Sequence, residues 1–501
     1  MKTTMAQFRN FIFLMMYPLM ACACVLEFEG SDLSTAQPLL SGSQLADLSS
    51  ISIIALRERT YGQGPIEIID RLDRICTSLE AAGDRPRQAT RLLAQYPSEG
   101  QTIYARIDVP FEAQPEAGYP VMIFTHGWVG AENAPDWHFG CTTESSYGDH
   151  YGSLINAWAE AGYVVLVPGY RGHGTIKGVL ADGHQDMLAW DTGAYLMPSF
   201  YAVDVMNLMA SATSSGGLSV WDETGAQQTI QIDASRVLIN GHSQGGDVAL
   251  TVLAATGEDA ASGLELAGGS IWAGNIADRF EQLATFEAMS TSPEAFLSGD
   301  GTWTGTDTGE DGSRNPNFVF GFPPDWVASP HPTDWTWQTE TFSRANVKAA
   351  LEAKAGDMYE TLNQQITTFG DLSWQFKSDQ AGRVSIDHDE RLTAEMLKIG
   401  GFHVPAYLSE PLNLHYSDRD YYSLPVWNER LCEKTNAIGG QCQAFEYAGN
   451  THSLGLSEHD WFSPPGAIAG YKTFIKRDLC SFDPIVAQTN SGDDCQHGDM
   501  R

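Results

Sequence analysis

The chain has 501 residues, of which 43% are hydrophobic and 11% aromatic, enough apolar material for a large buried core and too much for a disordered chain. Against 29 Lys and Arg stand 63 Asp and Glu, a formal charge of −34. Such a surface repels nucleic acid and anionic membrane, makes both poor partners, and fits a solvated acidic face suited to a salty or cold medium.

At the N-terminus Lys2 and Arg9 precede an apolar run from Phe11 to Met20, too short to span a bilayer as a helix. This is the layout of an export signal over residues 1–23. Leu19-Met20-Ala21-Cys22 resembles a lipobox, in which Cys22 is acylated after cleavage, and Ala21-Cys22-Ala23 is a rival A-x-A site for ordinary secretion. Both cuts predict an exported protein: secreted, periplasmic, or held at the envelope by a lipid anchor that would be its one membrane contact. In an oxidising compartment the later cysteines, Cys76, Cys141, Cys432, Cys442, Cys480 and Cys495, are expected to pair. Proximity favours Cys432 with Cys442 and Cys480 with Cys495, which leaves Cys76 for Cys141. No C-x-x-C or clustered Cys/His spacing points to a metal.

Residues 24–100 read as an N-terminal extension, and residues 101–275 as the first part of a core in which strands and helices alternate. Thr102 to Val109 alternates like an exposed-edge strand. Tyr119 to Thr125, "YPVMIFT", is apolar from Pro120 to Phe124 and predicts a buried strand. Tyr151 to Gly162 predicts a helix, with Leu154, Trp158 and Ala161 along one face. Tyr163 to Gly174, "YVVLVPGYRGHG", is a second buried strand entering a Gly-rich loop, and Phe200 to Ala212 is helical. Apolar strands alternating with helices imply an α/β fold: a mostly parallel, doubly wound sheet covered on both faces.

Val237 to Asn240 is the next buried strand, and it runs into Gly241-His242-Ser243-Gln244-Gly245 ahead of a helix over Asp247 to Ala255. A G-x-S-x-G between a strand and a helix predicts a nucleophile elbow: a sharp turn that lifts the Ser243 hydroxyl above the sheet edge, at a helix N-terminus that favours negative charge. A serine hydroxyl becomes a nucleophile when a base takes its proton, and that base needs an orienting carboxylate.

Ile271-Trp272-Ala273 is a further strand, after which the alternation fails. Residues 276–402, with Trp303, Trp326, Trp335, Trp337 and Trp374, predict an inserted cap over the site. Within it Asp307 to Gly312 hints at a calcium loop, but Phe318 stands where an EF-hand closes with an acid, so the stretch reads as a solvated turn. Residues 403–485 form the second part of the core, with sheet pattern at Val404 to Tyr416 and Gln443 to Ala448 and a last helix over Ile468 to Arg477. A tail follows over residues 486–501. The base is expected at a strand end. His126, His173, His242 and His415 lie near such ends but belong to segments with other evident work, whereas His452 follows the strand and Gly-Asn turn of "FEYAGNTHSLG". The acid should follow the preceding strand, where "LNLHYSDRDYY" offers Asp420 and, as its alternative, Asp418. Asp420 is preferred because it keeps the usual short loop before the next helix near Val426. The order serine, acid, histidine is the one that an elbow on a parallel sheet requires. The backbone N–H of Gln244, directly after the serine, and that of Trp128, in the loop after the strand at Ile123, are the expected oxyanion donors.

"THGW" from Thr125, "GYRGHG", "DASRVLINGHSQGG", "HYSDRDYY" and "YAGNTHSL" together, in this order, resemble the α/β-hydrolase family. The form around Ser243 resembles the branch shared by prolyl oligopeptidase-type peptidases, dienelactone hydrolases and polyester-cleaving esterases. Two departures are the tryptophan-rich insertion and Tyr416, where many relatives carry glycine. Too few residues precede the catalytic region for a β-propeller. The resemblance implies an exported serine hydrolase that needs no cofactor and acts on a small-molecule substrate, a carboxylic ester first and a peptide second. A non-catalytic binding protein on the same scaffold is the alternative from another class, and it predicts a broken triad.

Overall fold

In the structure, a computed structural model, the described residues are 51–72, 89–130, 133–137, 139, 148–190, 199–214, 216–277, 335–337, 340–342, 374–378, 384–388, 400–417, 423–447, 452 and 470–482. Nine strands make one sheet: β1 (Glu67–Arg71), β2 (Ala89–Ser98), β3 (Gln101–Pro110), β4 (Tyr119–Thr125), β5 (Val164–Pro168), β6 (Ile232–His242), β7 (Gly268–Trp272), β8 (Leu412–Ser417) and β9 (Cys442–Tyr447). Their spatial order is β1-β2-β3-β5-β4-β6-β7-β8-β9. The first three strands and β5 pair antiparallel in succession, and the six strands from β5 to β9 run parallel. The fold class is α/β, as the alternation of apolar strands and helices predicts.

The period of two along each strand splits the core into two layers. Val121, Ile123, Val164, Leu166, Val237 and Ile239 face one side, and there they meet α2 (Ser199–Ala212) and α3 (Gln244–Ala255). Met122, Phe124, Val165, Val167 and Leu238 face the other, where Tyr151, Leu154, Ile155 and Trp158 of α1 (Gly148–Glu160) and Phe474 of α5 (Gly470–Phe482) cover them. A further helix, α4 (Pro425–Ala437), contributes Leu431 and Cys432 to the first layer. Cys432 is bonded there to Cys442 at the start of β9. Cys480 is also disulfide-bonded.

Three expectations change. The strand predicted at an exposed edge is β3, which lies between β2 and β5 with its last eight residues buried. Its polar positions suggested solvent, yet Arg106 and Asp108 are both wholly buried and joined by two hydrogen bonds of 2.6 and 2.7 Å. A charge pair that satisfies itself can occupy an interior face. The sheet also begins ahead of residue 101, because β1 and β2 come from the stretch read as an extension. Finally, Val404 to Tyr416 is strand only from Leu412; two short 3₁₀ turns, Gly401–His403 and Pro405–Tyr407, precede it, and Pro405 at the head of the second cannot donate to a ladder.

The signal segment, Cys76, Cys141, Cys495, Asp418, Asp420, the calcium-like loop and nearly all of the cap lie outside the described residues. Among the described residues no helix is long and apolar enough to cross a membrane, and no cluster of three or more His, Cys, Asp or Glu could hold a metal.

Candidate active site

Strand β6 ends at His242 and α3 begins at Gln244, so the chain reverses at one residue. Ser243 there has φ 56° and ψ −123°, a region that L-residues enter at a cost of about 1–3 kcal/mol. Three backbone bonds hold it: Ser243 N–H donates to the Trp272 carbonyl at 3.3 Å, and the N–H groups of Gly246 and Asn275 donate to the Ser243 carbonyl at 2.9 and 3.1 Å. The serine N–H is thereby committed to β7. Gln244 is the first residue of α3, at the end of the helix where the dipole is positive. This is the elbow that the sequence predicts, with Gln244 directly after the serine at the head of the helix.

Thr125 stands beside Gly241 in the β4/β6 ladder, which brings the loop after β4 against the serine. The Thr125 hydroxyl shares its one proton between the Gly245 carbonyl, at 2.8 Å, and the Asn240 carbonyl, at 3.1 Å, clipping the end of β4 to the elbow. A Cβ on Gly245 would run into the carbonyls of Thr125 and His126, so that position admits only glycine. At Gly127 a Cβ would sit 2.8 Å from the Tyr151 hydroxyl and 3.2 Å from the Ser243 Cβ. Two bonds then orient the loop. Gly127 N–H donates to the Tyr151 hydroxyl at 3.0 Å, and the Gly127 carbonyl accepts from His126 Nδ1 at 2.8 Å. In a trans peptide C=O and N–H point oppositely, so fixing the Gly127 carbonyl on His126 turns the Trp128 N–H away from that ring. Trp128 itself is half-buried.

The predicted base, His452, is half-buried, and its backbone carbonyl accepts from His242 Nε2 at 3.0 Å. The rings of His452 and His242 lie 4.9 Å apart. Because His242 adjoins Ser243 in sequence, this bond brings the His452 loop to the elbow. The rivals have other work. His415 has a carboxylate, Asp478, 3.0 Å from Nε2 and the Tyr447 hydroxyl 2.8 Å from Nδ1, but it is wholly buried and packed against Phe445 and Phe474. His126 stacks on Tyr170 at 4.2 Å and His173 meets Tyr201 edge-on at 5.8 Å. Burial pushes the His126 imidazole down to about 4 and that of His173 down to about 3, so both stay neutral and serve the packing around the loop.

Of the five predicted site residues, the structure therefore gathers Ser243, Gln244, Trp128 and His452 at one sheet edge. The acid, Asp420 or Asp418, lies outside the described residues. Two residues with a part in this geometry have no role in it from sequence alone, Tyr151, read there only as helix, and His242, weighed there only as a rival base. His242 was visible as the residue before the serine, and its stacking on Trp272 at 3.5 Å shows why an aromatic ring suits that position. Nothing in the sequence marks Tyr151, the fourth residue of α1, apart from its place on an apolar helix face.

No protein-family model matches the chain, and no curated protein matches it. Among solved structures, it is similar to an acylaminoacyl peptidase of Pyrococcus horikoshii, with a TM-score of 0.42 at 12% identity, over 81% of this chain and 43% of that one. It is similar to an acetyl xylan esterase of Paenibacillus sp. R4, with a TM-score of 0.40 at 13% identity, over 81% of this chain and 88% of that one. A puromycin-hydrolyzing peptidase of Mycobacterium tuberculosis has a TM-score of 0.39 at 12% identity over 73% of this chain. The chain spans 36% of the length of that peptidase. The strand order, with six parallel strands and the serine turn following the third of them, gives this chain the α/β-hydrolase fold.

Proposed function

We propose that the protein is a serine hydrolase that cleaves carboxylic esters through an acyl-enzyme on Ser243. His452 takes the Ser243 proton as the hydroxyl attacks the acyl carbonyl, and Asp420, with Asp418 as its alternative, orients the imidazole and stabilises its charged form. The N–H groups of Gln244 and Trp128 hold the oxyanion. His452 then returns the proton to the leaving alcohol, and water repeats the sequence to release the acid. The observation that carries this reading is the backbone of Ser243 (φ 56°), held at a strand-to-helix turn where its own N–H is spent on Trp272 and the next N–H opens a helix.

The leader-like N-terminus and the Cys432–Cys442 disulfide support export. The aromatic insertion supports an apolar or aromatic acyl or alcohol group. A fluorophosphonate probe tests the nucleophile. The wild type is expected to be labelled and Ser243→Ala is not; equal labelling of the two, or none of either, would refute the reading. Hydrolysis of p-nitrophenyl esters in preference to aminoacyl amides is expected, and the reverse preference would make the protein a peptidase.

A further inference from the structure

The loops that carry the oxyanion donor and the base are joined through the elbow by a single chain of hydrogen bonds. Gly127 N–H lies 3.0 Å from the Tyr151 hydroxyl, that hydroxyl lies 2.7 Å from His242 Nδ1, and His242 Nε2 lies 3.0 Å from the His452 carbonyl. The two ends of the chain fix its direction. A backbone N–H can only donate and a carbonyl can only accept. Gly127 therefore donates to the tyrosine oxygen, and His242 donates from Nε2 to His452. With its proton at Nε2, a neutral His242 has its lone pair at Nδ1, and that lone pair accepts the Tyr151 proton.

The surroundings hold each member in place. Tyr151 and His242 are both almost wholly buried. The His242 ring is stacked on Trp272 at 3.5 Å and 13° between planes, and the Tyr151 ring meets Phe124, Trp137 and Trp272 at 5.0 to 6.2 Å. Neither ring can turn without losing those contacts. Each bond also has a consequence for the site. The first commits the Gly127 N–H, so it is unavailable as an oxyanion donor and that role passes to Trp128. The last pins the backbone of His452 to the residue before the nucleophile. A second proton on His242 would need the tyrosine oxygen as acceptor and would drive the tyrosine proton off Nδ1.

We propose that Tyr151 and His242 are positioning residues, a directed Gly127→Tyr151→His242→His452 relay that sets the oxyanion loop and the base loop on the elbow together, with His242 neutral and protonated at Nε2. Its kinetic consequence rests on Ser243 and His452 acting as nucleophile and base; its proton arrangement does not. Neither residue touches the reacting atoms in this account.

Two measurements test it on the full chain. In protein labelled with ¹⁵N-histidine, long-range ¹H–¹⁵N spectra at neutral pH are expected to show His242, assigned by its loss in His242→Gln, as the Nε2–H tautomer. An Nδ1–H tautomer or an imidazolium would overturn the relay whether or not the protein is a hydrolase. In ester kinetics, Tyr151→Phe and His242→Leu are each expected to lower kcat about 10- to 100-fold with KM held within about twofold, because positioning in the transition state is lost while the pocket remains. The double variant should fall no further than the worse single, and His242→Gln, whose amide can still donate to His452, should recover part of the loss. Additive losses, or variants that melt earlier with kcat unchanged, would make the chain of bonds merely structural and overturn the proposal. Labelling of the wild type at Ser243 in the same preparation separates failure of the relay from failure of the nucleophile assignment.

Discussion

The two neutral histidines in and beside the loop after β4 should make the protein sensitive to mild acid, and the size of the effect follows from their burial. In an unfolded chain an imidazole takes its proton near 6.5, whereas in the fold His126 does so at about 4 and His173 at about 3. Between those limits the unfolded state binds more protons than the native one. Stability is therefore full above pH 6.5 and is lost as pH falls toward 4. Each histidine contributes a slope of up to about 1.4 kcal/mol per pH unit in that window, or about 1.6 kcal/mol each between pH 6.5 and 5, because the unfolded imidazole is only half protonated at the upper limit. The pair together removes up to about 3 kcal/mol, a large share of the roughly 5–15 kcal/mol that holds a typical domain together. The informative variant is His173→Asn. Its amide can replace the Nδ1–H that lies 3.1 Å from the Arg171 carbonyl, and it does not titrate in this range. Urea unfolding followed by tryptophan fluorescence at pH 8, 6.5 and 5 should show the variant losing about 1.6 kcal/mol less than the wild type between the last two points. The loss of the ring lowers stability at every pH, so only the difference in slope is diagnostic. Equal slopes, or a His173 found charged at pH 6 by NMR, would refute the reasoning.

Other perturbations probe separate parts of the site and scaffold. Gly127→Ala places a methyl 2.8 Å from the Tyr151 hydroxyl and 3.2 Å from the Ser243 Cβ, and should lower kcat about 100-fold while circular dichroism stays native. Arg171→Met leaves Asp204 buried without the guanidinium whose Nη2 lies 2.8 Å from it, at a cost of about 3–5 kcal/mol; Arg171→Met with Asp204→Leu should recover most of that in a thermal melt. Opening the ten-residue Cys432–Cys442 loop with Cys432→Ser should cost about 2.7 kcal/mol by chain entropy, read as a lower urea midpoint under non-reducing conditions. Asp420→Asn should reduce kcat by about 10⁴-fold and Asp418→Asn by less than about tenfold; the reverse ranking would make Asp418 the acid.

The elements that sequence pattern located correctly are those whose signal is local. A run such as Tyr119 to Thr125 can bury itself only as an interior strand, and a serine between a β-branched run and a helix of small residues can only sit in a tight turn. What the pattern missed depends on partners far away in sequence. Arg106 and Asp108 alternate with apolar residues as solvent-facing residues would, and they are interior because each answers the other. His242 finds its acceptor 210 residues on, and Tyr151 reaches it from 91 residues before. Periodicity measures how often a side chain faces the core and carries nothing about what it bonds to there. Buried polar groups are therefore the weak point of any sequence-based account, and they are also the groups that a site must place most accurately. In this fold, Ser243 and its neighbours were legible because strain and glycine mark the backbone. The hydrogen bonds that would align His452 and Trp128 with them were not, because His242 and Tyr151 carry no mark beyond an aromatic ring that the core would have accepted in any case.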